Sequence, residues 1–190
     1  MSKFILTILI SLVLFGCTPV NENSYVKPMS DLSHDAKTIL KILDNNLQLF
    51  EVYPNDKVQS RTIQLWIKGG DEWIKGGAIS GNLDNDSPNP QVYALLLNDN
   101  EISITSLNDN SKYNLILPEM DFDEYNARSK YLISNKIELE LDKEYVLALK
   151  YASNSDAIRD YDENCDFREI ETPLAYAVTI CLHSTAQELE

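Results

Sequence analysis

Histidine occurs only twice in the 190 residues, as His34 and His183. The chain therefore holds no His-Glu-x-x-His motif, and zinc-protease chemistry is not expected. Glycine occurs six times. Neither Gly69-Gly70 nor Gly76-Gly77 is followed by Lys-Ser/Thr or by a helical pattern, so a phosphate-cradling loop is missing. There is no Gly-x-Ser-x-Gly nucleophile elbow. The three cysteines, Cys17, Cys165 and Cys181, form no Cys-x-x-Cys pair, which removes the usual redox and zinc signatures. Basic residues are outnumbered 16 to 30 by acidic ones, for a formal net charge of −14. Such a surface argues against nucleic acid and anionic headgroups as partners. It suits solubility, and it suits a basic protein partner. The apolar run at residues 4–15 is shorter than the ~20 residues that a spanning helix needs.

What the chain does have is alternation. Segments 47–53, 61–68, 91–97, 101–107, 112–117, 136–141, 143–151 and 174–182 read as strands between Asn/Asp/Ser/Pro turns, with Trp73–Lys75 returning as a hairpin partner across Gly69-Gly70-Asp71-Glu72. Segment 91–97 is apolar on both faces and reads as a central strand. In 143–151 the alternation puts Tyr145, Leu147, Leu149 and Tyr151 on one side. A short helix is expected over 31–44, capped by Ser30 or Asp31. No helical pattern of useful length falls between the strands. The expected fold is therefore all-β, an immunoglobulin-like β-sandwich of about 8 strands with one short N-terminal helix.

Few residues stand out as sites. Trp66 lies on the polar face of its strand, beside Gln64 and Lys68 and opposite Ile63, Leu65 and Ile67. Tryptophan in that position suits an interface anchor, or the cover of a second small cluster. Trp73 repeats the local pattern Trp-Ile-Lys-Gly-Gly. Acidic clusters occur at Asp84–Asp86, Glu119–Glu124 and Asp160–Asp166. None has the spacing and glycine of an EF-hand, so they read as solvated loops, with no metal or cofactor expected. No catalytic constellation emerges, and an enzyme is not expected.

Lys3, the apolar run 4–15 and the sequence Leu14-Phe15-Gly16-Cys17 resemble the signal peptide and lipobox of a bacterial lipoprotein. Phe15 is bulkier than that family's usual residue. The resemblance implies cleavage before Cys17 and acylation of Cys17, with two or three acyl chains holding the protein on a membrane. Thr18, where an Asp would signal inner-membrane retention, implies the outer membrane with the domain facing the periplasm of a Gram-negative host. On this reading residues 1–16 are the signal peptide, 17–30 the lipidated cysteine and flexible tether, and 31–190 a single domain. In that oxidising compartment Cys165 and Cys181 are expected to form a disulfide.

The whole plan is also similar to periplasmic immunity lipoproteins that accompany type VI secretion effectors. The likeness rests on the lipobox, the short tether, the strand introduced by Asp44-Asn-Asn-Leu-Gln-Leu-Phe50, the strand Val146-Leu-Ala-Leu-Lys-Tyr151 and the two late cysteines. It implies a binding protein that neutralises a toxin by direct contact, with Trp66, Trp73, Asp121, Asp123 and Glu124 as candidate contact residues. The alternative is a structural outer-membrane lipoprotein of a secretion or envelope assembly.

Overall fold

A computed structural model describes residues 23–42, 46–84, 86–98 and 100–187. Residues 1–16, expected to be a signal peptide, and Cys17 lie outside the described residues. The fold is an all-β sandwich of two antiparallel sheets, with eleven strands among the described residues rather than about eight. In chain order they are β1 (Ser24–Pro28), β2 (Leu47–Tyr53), β3 (Ser60–Gly69), β4 (Glu72–Asn82), β5 (Gln91–Leu97), β6 (Glu101–Ser106), β7 (Lys112–Ile116), β8 (Ala127–Leu132), β9 (Ile137–Leu139), β10 (Glu144–Ser153) and β11 (Leu174–His183). The first sheet runs β7-β6-β5-β2-β1-β9 and the second β4-β3-β11-β10-β8.

The core lies between the sheets. Ile63, Leu65 and Ile67 of β3 and Tyr176, Val178, Ile180 and Leu182 of β11 meet Phe50, Val52, Tyr93, Leu95, Ile102 and Ile104 of the first sheet. Each such side chain contributes about 1.5–3 kcal/mol on full burial. Strand β5 lies between β2 and β6, inside its sheet, as its double-faced apolarity predicts. One helix, α1 (His34–Ile42), follows β1. Its cap is Ser33 rather than Ser30 or Asp31. The Ser33 hydroxyl accepts from Ala36 N at 3.2 Å, and its carbonyl accepts the first helical bond from Lys37 N at 3.0 Å.

Three details differ from the expected pattern. Residues 24–28, assigned to the tether, form β1, hydrogen-bonded to β2 on one side and β9 on the other. Val26 supplies one fully buried side chain, and Pro28 lies past the last residue paired with β9, where its missing N–H costs little. Strand β8 is not among the segments expected from alternation. It carries Arg128 and Lys130 on its inner face, so charge hides its alternation. In β10, a bulge between Val146 and Ala148 inserts Leu147. Leu147 and Ala148 both join the central core, while Leu149 and Tyr151 turn to the other side of the sheet. Strict alternation from Tyr145 to Tyr151 is thereby broken.

The second sheet is also covered on its outer face. The segment 154–173 between β10 and β11 crosses it and sets Ile158, Tyr161, Phe167 and Ile170 against Val146, Leu149, Tyr151, Ala175 and Ala177. The small residues of β11 let this segment approach the sheet closely.

Candidate functional site

The covering segment is pinned at both ends and in the middle. The Tyr151 hydroxyl donates to the Arg159 carbonyl at 2.5 Å, and the nearly buried Lys68 ammonium donates to the Ile170 carbonyl at 2.9 Å. Thr172 donates its hydroxyl to the Ala152 carbonyl. Between these points Phe167, in a single 3-10 turn (Phe167–Glu169), inserts its ring between the two tryptophans. It stands edge-on to Trp73, with centroids 4.9 Å apart, and tilted against Trp66 at 6.1 Å.

Trp66 is enclosed by polar and charged neighbours. Its indole N–H donates to Glu144 at 3.2 Å. The Arg168 guanidinium lies 4.4 Å from its ring centroid, and Lys75 lies 5.5 Å away. Arg168 in turn pairs with Glu144 and with Asp166. The two tryptophans are thus brought together, half-buried, as the cover of a second cluster.

Asp121, Asp123 and Glu124 are placed elsewhere. Asp123 and Glu124 belong to the 3-10 turn Phe122–Glu124 ahead of β8, and Asp121 caps that turn by accepting from Asp123 N at 2.9 Å. Asp123 pairs with Arg128. Phe122 faces Tyr176 on the inner side of the sheet, whereas Trp66 and Trp73 belong to the outer cluster, so the five candidate residues do not form one patch.

The expected Cys165–Cys181 disulfide is not formed: both thiols are free, Cys165 exposed and Cys181 buried. The reason is where the acidic loop is held. Tyr161 packs edge-on to Tyr131 of β8, its hydroxyl donates to the Cys165 carbonyl at 2.9 Å, and Asp166 is drawn to Arg168. Those contacts moor the loop beside β8 and β10, while Cys181 lies within β11, across from Glu144 in the β10 register. Burial pushes the Cys181 thiol up to about 11.

Between the moored loop and the β9–β10 region runs a groove of about 870 Å³. Six carboxylates line it: Glu138, Glu140, Asp142, Glu144, Glu163 and Asp166. Lys136, Lys143 and Arg168 are interspersed. Glu140 is held below its usual range by the Lys143 ammonium 2.9 Å away. Asp142 adopts a left-handed φ of 61°, and its carboxylate accepts from the Ser184 hydroxyl at 2.9 Å, which lowers its pKa, with His183 adding to the effect. Glu144 joins the groove to Trp66.

The groove's neighbours do not assemble a nucleophilic relay. His183 Nδ1 faces both Cys181 Sγ (3.8 Å) and Asp142 Oδ1 (3.3 Å), while Nε2 meets Thr62 Oγ1 at 3.0 Å. A Cys-His-Asp relay needs thiol and carboxylate on opposite ring nitrogens. Among the described residues no three His, Cys, Asp or Glu side chains converge as metal ligands. The groove was only partly legible in the sequence. Its loop wall is the acidic cluster 160–166, and Glu138 and Glu140 mark the polar face of segment 136–141, but nothing local shows that these two meet. Comparison of the chain with protein-family models, with curated proteins and with solved structures gave no match.

Proposed function

We propose that this chain is a lipid-anchored binding protein of the bacterial envelope that captures a basic protein partner. The partner class that fits the reading is a toxin delivered into the periplasm, as for the immunity lipoproteins of type VI secretion. The observation that carries the proposal is the acidic groove. It is concave, its carboxylates come from two different parts of the chain, and its walls are fixed by hydrogen bonds and edge-on ring contacts rather than left as a free loop. A preorganised wall lowers the ordering cost of association, and its charge steers a cationic partner toward it. Trp66 and Arg168 at one end supply the residue types that most often anchor such interfaces.

The test is co-purification of the full chain, tagged at its C-terminus, from envelope extracts that contain the products of neighbouring genes. One stoichiometric basic partner is expected. Its capture should be lost on the double charge reversal Glu140→Lys and Glu163→Lys, with the β-sheet circular-dichroism signal retained. The association rate should fall by about tenfold between low and high salt. A partner retained by the double variant overturns the groove as the contact surface. Recovery of secretion-machine subunits instead would replace the immunity reading with a structural one.

A further inference from the structure

The two sheets end side by side at β4 and β7, each the last strand of its sheet, and the Leu115 side chain lies over Gly77 between them. Along this flank the chain departs from its general character. The large hydrophobics exposed among the described residues are Ile74 on β4, Tyr113 and Ile116 on β7, and Leu107 in the turn leading into β7. Ile116 is 77 % exposed. The two strands hold one acid, Glu72, against Lys75 and Lys112, in a chain whose net charge is −14. An apolar strand at a sheet edge presents its outward backbone groups to another strand. On β7 the register decides which groups those are. Leu117 N donates to the Asn100 carbonyl and Ser106 N to the Ser111 carbonyl, so in the alternating ladder Tyr113 and Leu115 bond to β6. The N–H and C=O of Lys112, Asn114 and Ile116 therefore point away from the sheet. Lys112, Asn114 and Ile116 also share its outer side-chain face with Thr105, Ser103 and Glu101 of β6, while Tyr113 and Leu115 share the inner face with Ile104 and Ile102.

We propose that β7 pairs with β7 of a second copy of this chain, antiparallel about a two-fold axis at Asn114. The segment is self-complementary in that register. Lys112 meets Ile116 of the second copy, Tyr113 meets Leu115, and Asn114, whose amide oxygen accepts from Ser103 at 2.9 Å, meets itself. All outward backbone groups of Lys112, Asn114 and Ile116 then find partners. The side chains match as well. Beyond Ile116 of the second copy, on the same face, stands its Glu101. Two strand spacings, about 10 Å, separate Lys112 from that Glu101, within the combined reach of the two side chains. The symmetry makes this opposite-charge pair twice. Tyr113 and Leu115 form an aromatic–aliphatic cross-strand pair on the inner face, also twice. A second copy is the occupant because this flank is where two chains of like net charge can meet without opposing acids. The acidic groove borders β9, at the other end of the first sheet, so both copies keep it open. The inference does not depend on what that groove binds.

Sedimentation velocity over a concentration series tests it, on the full chain carrying Cys17→Ser so that acylation cannot drive association. A reversible dimer with a Kd of about 1–100 μM is expected, since five residues a side make a small interface. Ile116→Lys changes an exposed side chain and sets a lysine opposite Lys112 of the second copy, so the Kd should rise about tenfold or more. Lys112→Glu should weaken the dimer by a similar factor, and adding Glu101→Lys should restore it, which a merely structural role of either residue would not do. The register has its own readout. With Cys165→Ser in the background, Asn114→Cys should cross-link to a second copy under mild oxidation, and Thr105→Cys, two strands from the axis, should not. A monomer throughout the series, a dimer indifferent to Ile116→Lys, or the absence of rescue by Glu101→Lys overturns the proposal.

Discussion

Cys165 and Cys181 differ by environment alone. Cys165 is exposed on the moored loop, whereas Cys181 is buried with its thiol pushed up to about 11, so it stays protonated at any physiological pH. Brief treatment of the native protein with iodoacetamide near neutral pH should alkylate Cys165 and leave Cys181 untouched until denaturant is added. Peptide mass spectrometry reads the result directly, and protection of both thiols before reduction would mean that a disulfide forms. A second residue-scale test concerns Trp66, whose ring is stacked by Arg168 and whose N–H is held by Glu144. Trp66→Ala removes a half-buried ring and one of the two partners of Glu144, which keeps its pair with Arg168. A loss of about 2–3 kcal/mol in urea unfolding is expected, at the lower end of the range for aromatic truncation because the ring is not fully enclosed.

Strands and turns bring their own constraints. Strand β4 pairs with β3 through a register shift that leaves Gly76 as the extra residue. A Cβ there would stand 2.5 Å from Ile67 Cδ1 and 3.1 Å from a Leu65 methyl, both in the core. Gly76→Val should therefore cost about 1–3 kcal/mol by overpacking, measured as a lower urea midpoint with unchanged slope. In the β6–β7 turn, Asp109 accepts from the Ser111 backbone N–H at 3.0 Å and from its hydroxyl at 2.8 Å. The backbone bond comes first among the causes that lower its pKa from 3.8 to about 2. A carboxylate with a depressed folded-state pKa stabilises the fold above the unfolded value and loses that effect as pH falls through the folded one. Asp109→Asn should thus lower the unfolding midpoint near pH 6, and the difference from the native chain should vanish below about pH 2.

The same elements show how far the sequence was readable. Strands with apolar residues on every second position, such as β3 and β11, announce themselves, because one face must leave water. Strand β1 did not, since only Val26 and its neighbours mark it and Pro28 closes it. Strand β8 did not either, because Arg128 and Lys130 occupy positions that alternation would give to Leu or Ile. The bulge at Leu147 left no local trace, since its register is decided by the partner strand. Trp66 was legible as a tryptophan on a polar face. Its actual neighbours were not, because Phe167 and Arg168 arrive from about a hundred residues away. The disulfide expectation failed for a related reason: compartment and spacing speak to whether two thiols may pair, not to which strand each faces.

At the scale of the whole molecule, charge dominates. With a net −14 the folded chain repels itself, and compactness is maintained against that repulsion. Sodium chloride should raise the melting temperature between low and moderate ionic strength, as the Debye length shrinks toward about 8 Å. A melting temperature that falls with salt would mean that attractive pairs such as Arg168–Glu144 outweigh the general repulsion.

Strand β1 also decides how the domain bears tension. It begins at Ser24 and is bonded on both flanks, to β2 and to β9. A pull applied to the chain ahead of Ser24 runs along the strand, perpendicular to its inter-strand hydrogen bonds. The bonds are then loaded in shear, several at once, rather than peeled open one after another. A domain hung by this end has its grip inside a sheet, not at a fraying margin, and it would hold its shape while something tugs at its far side.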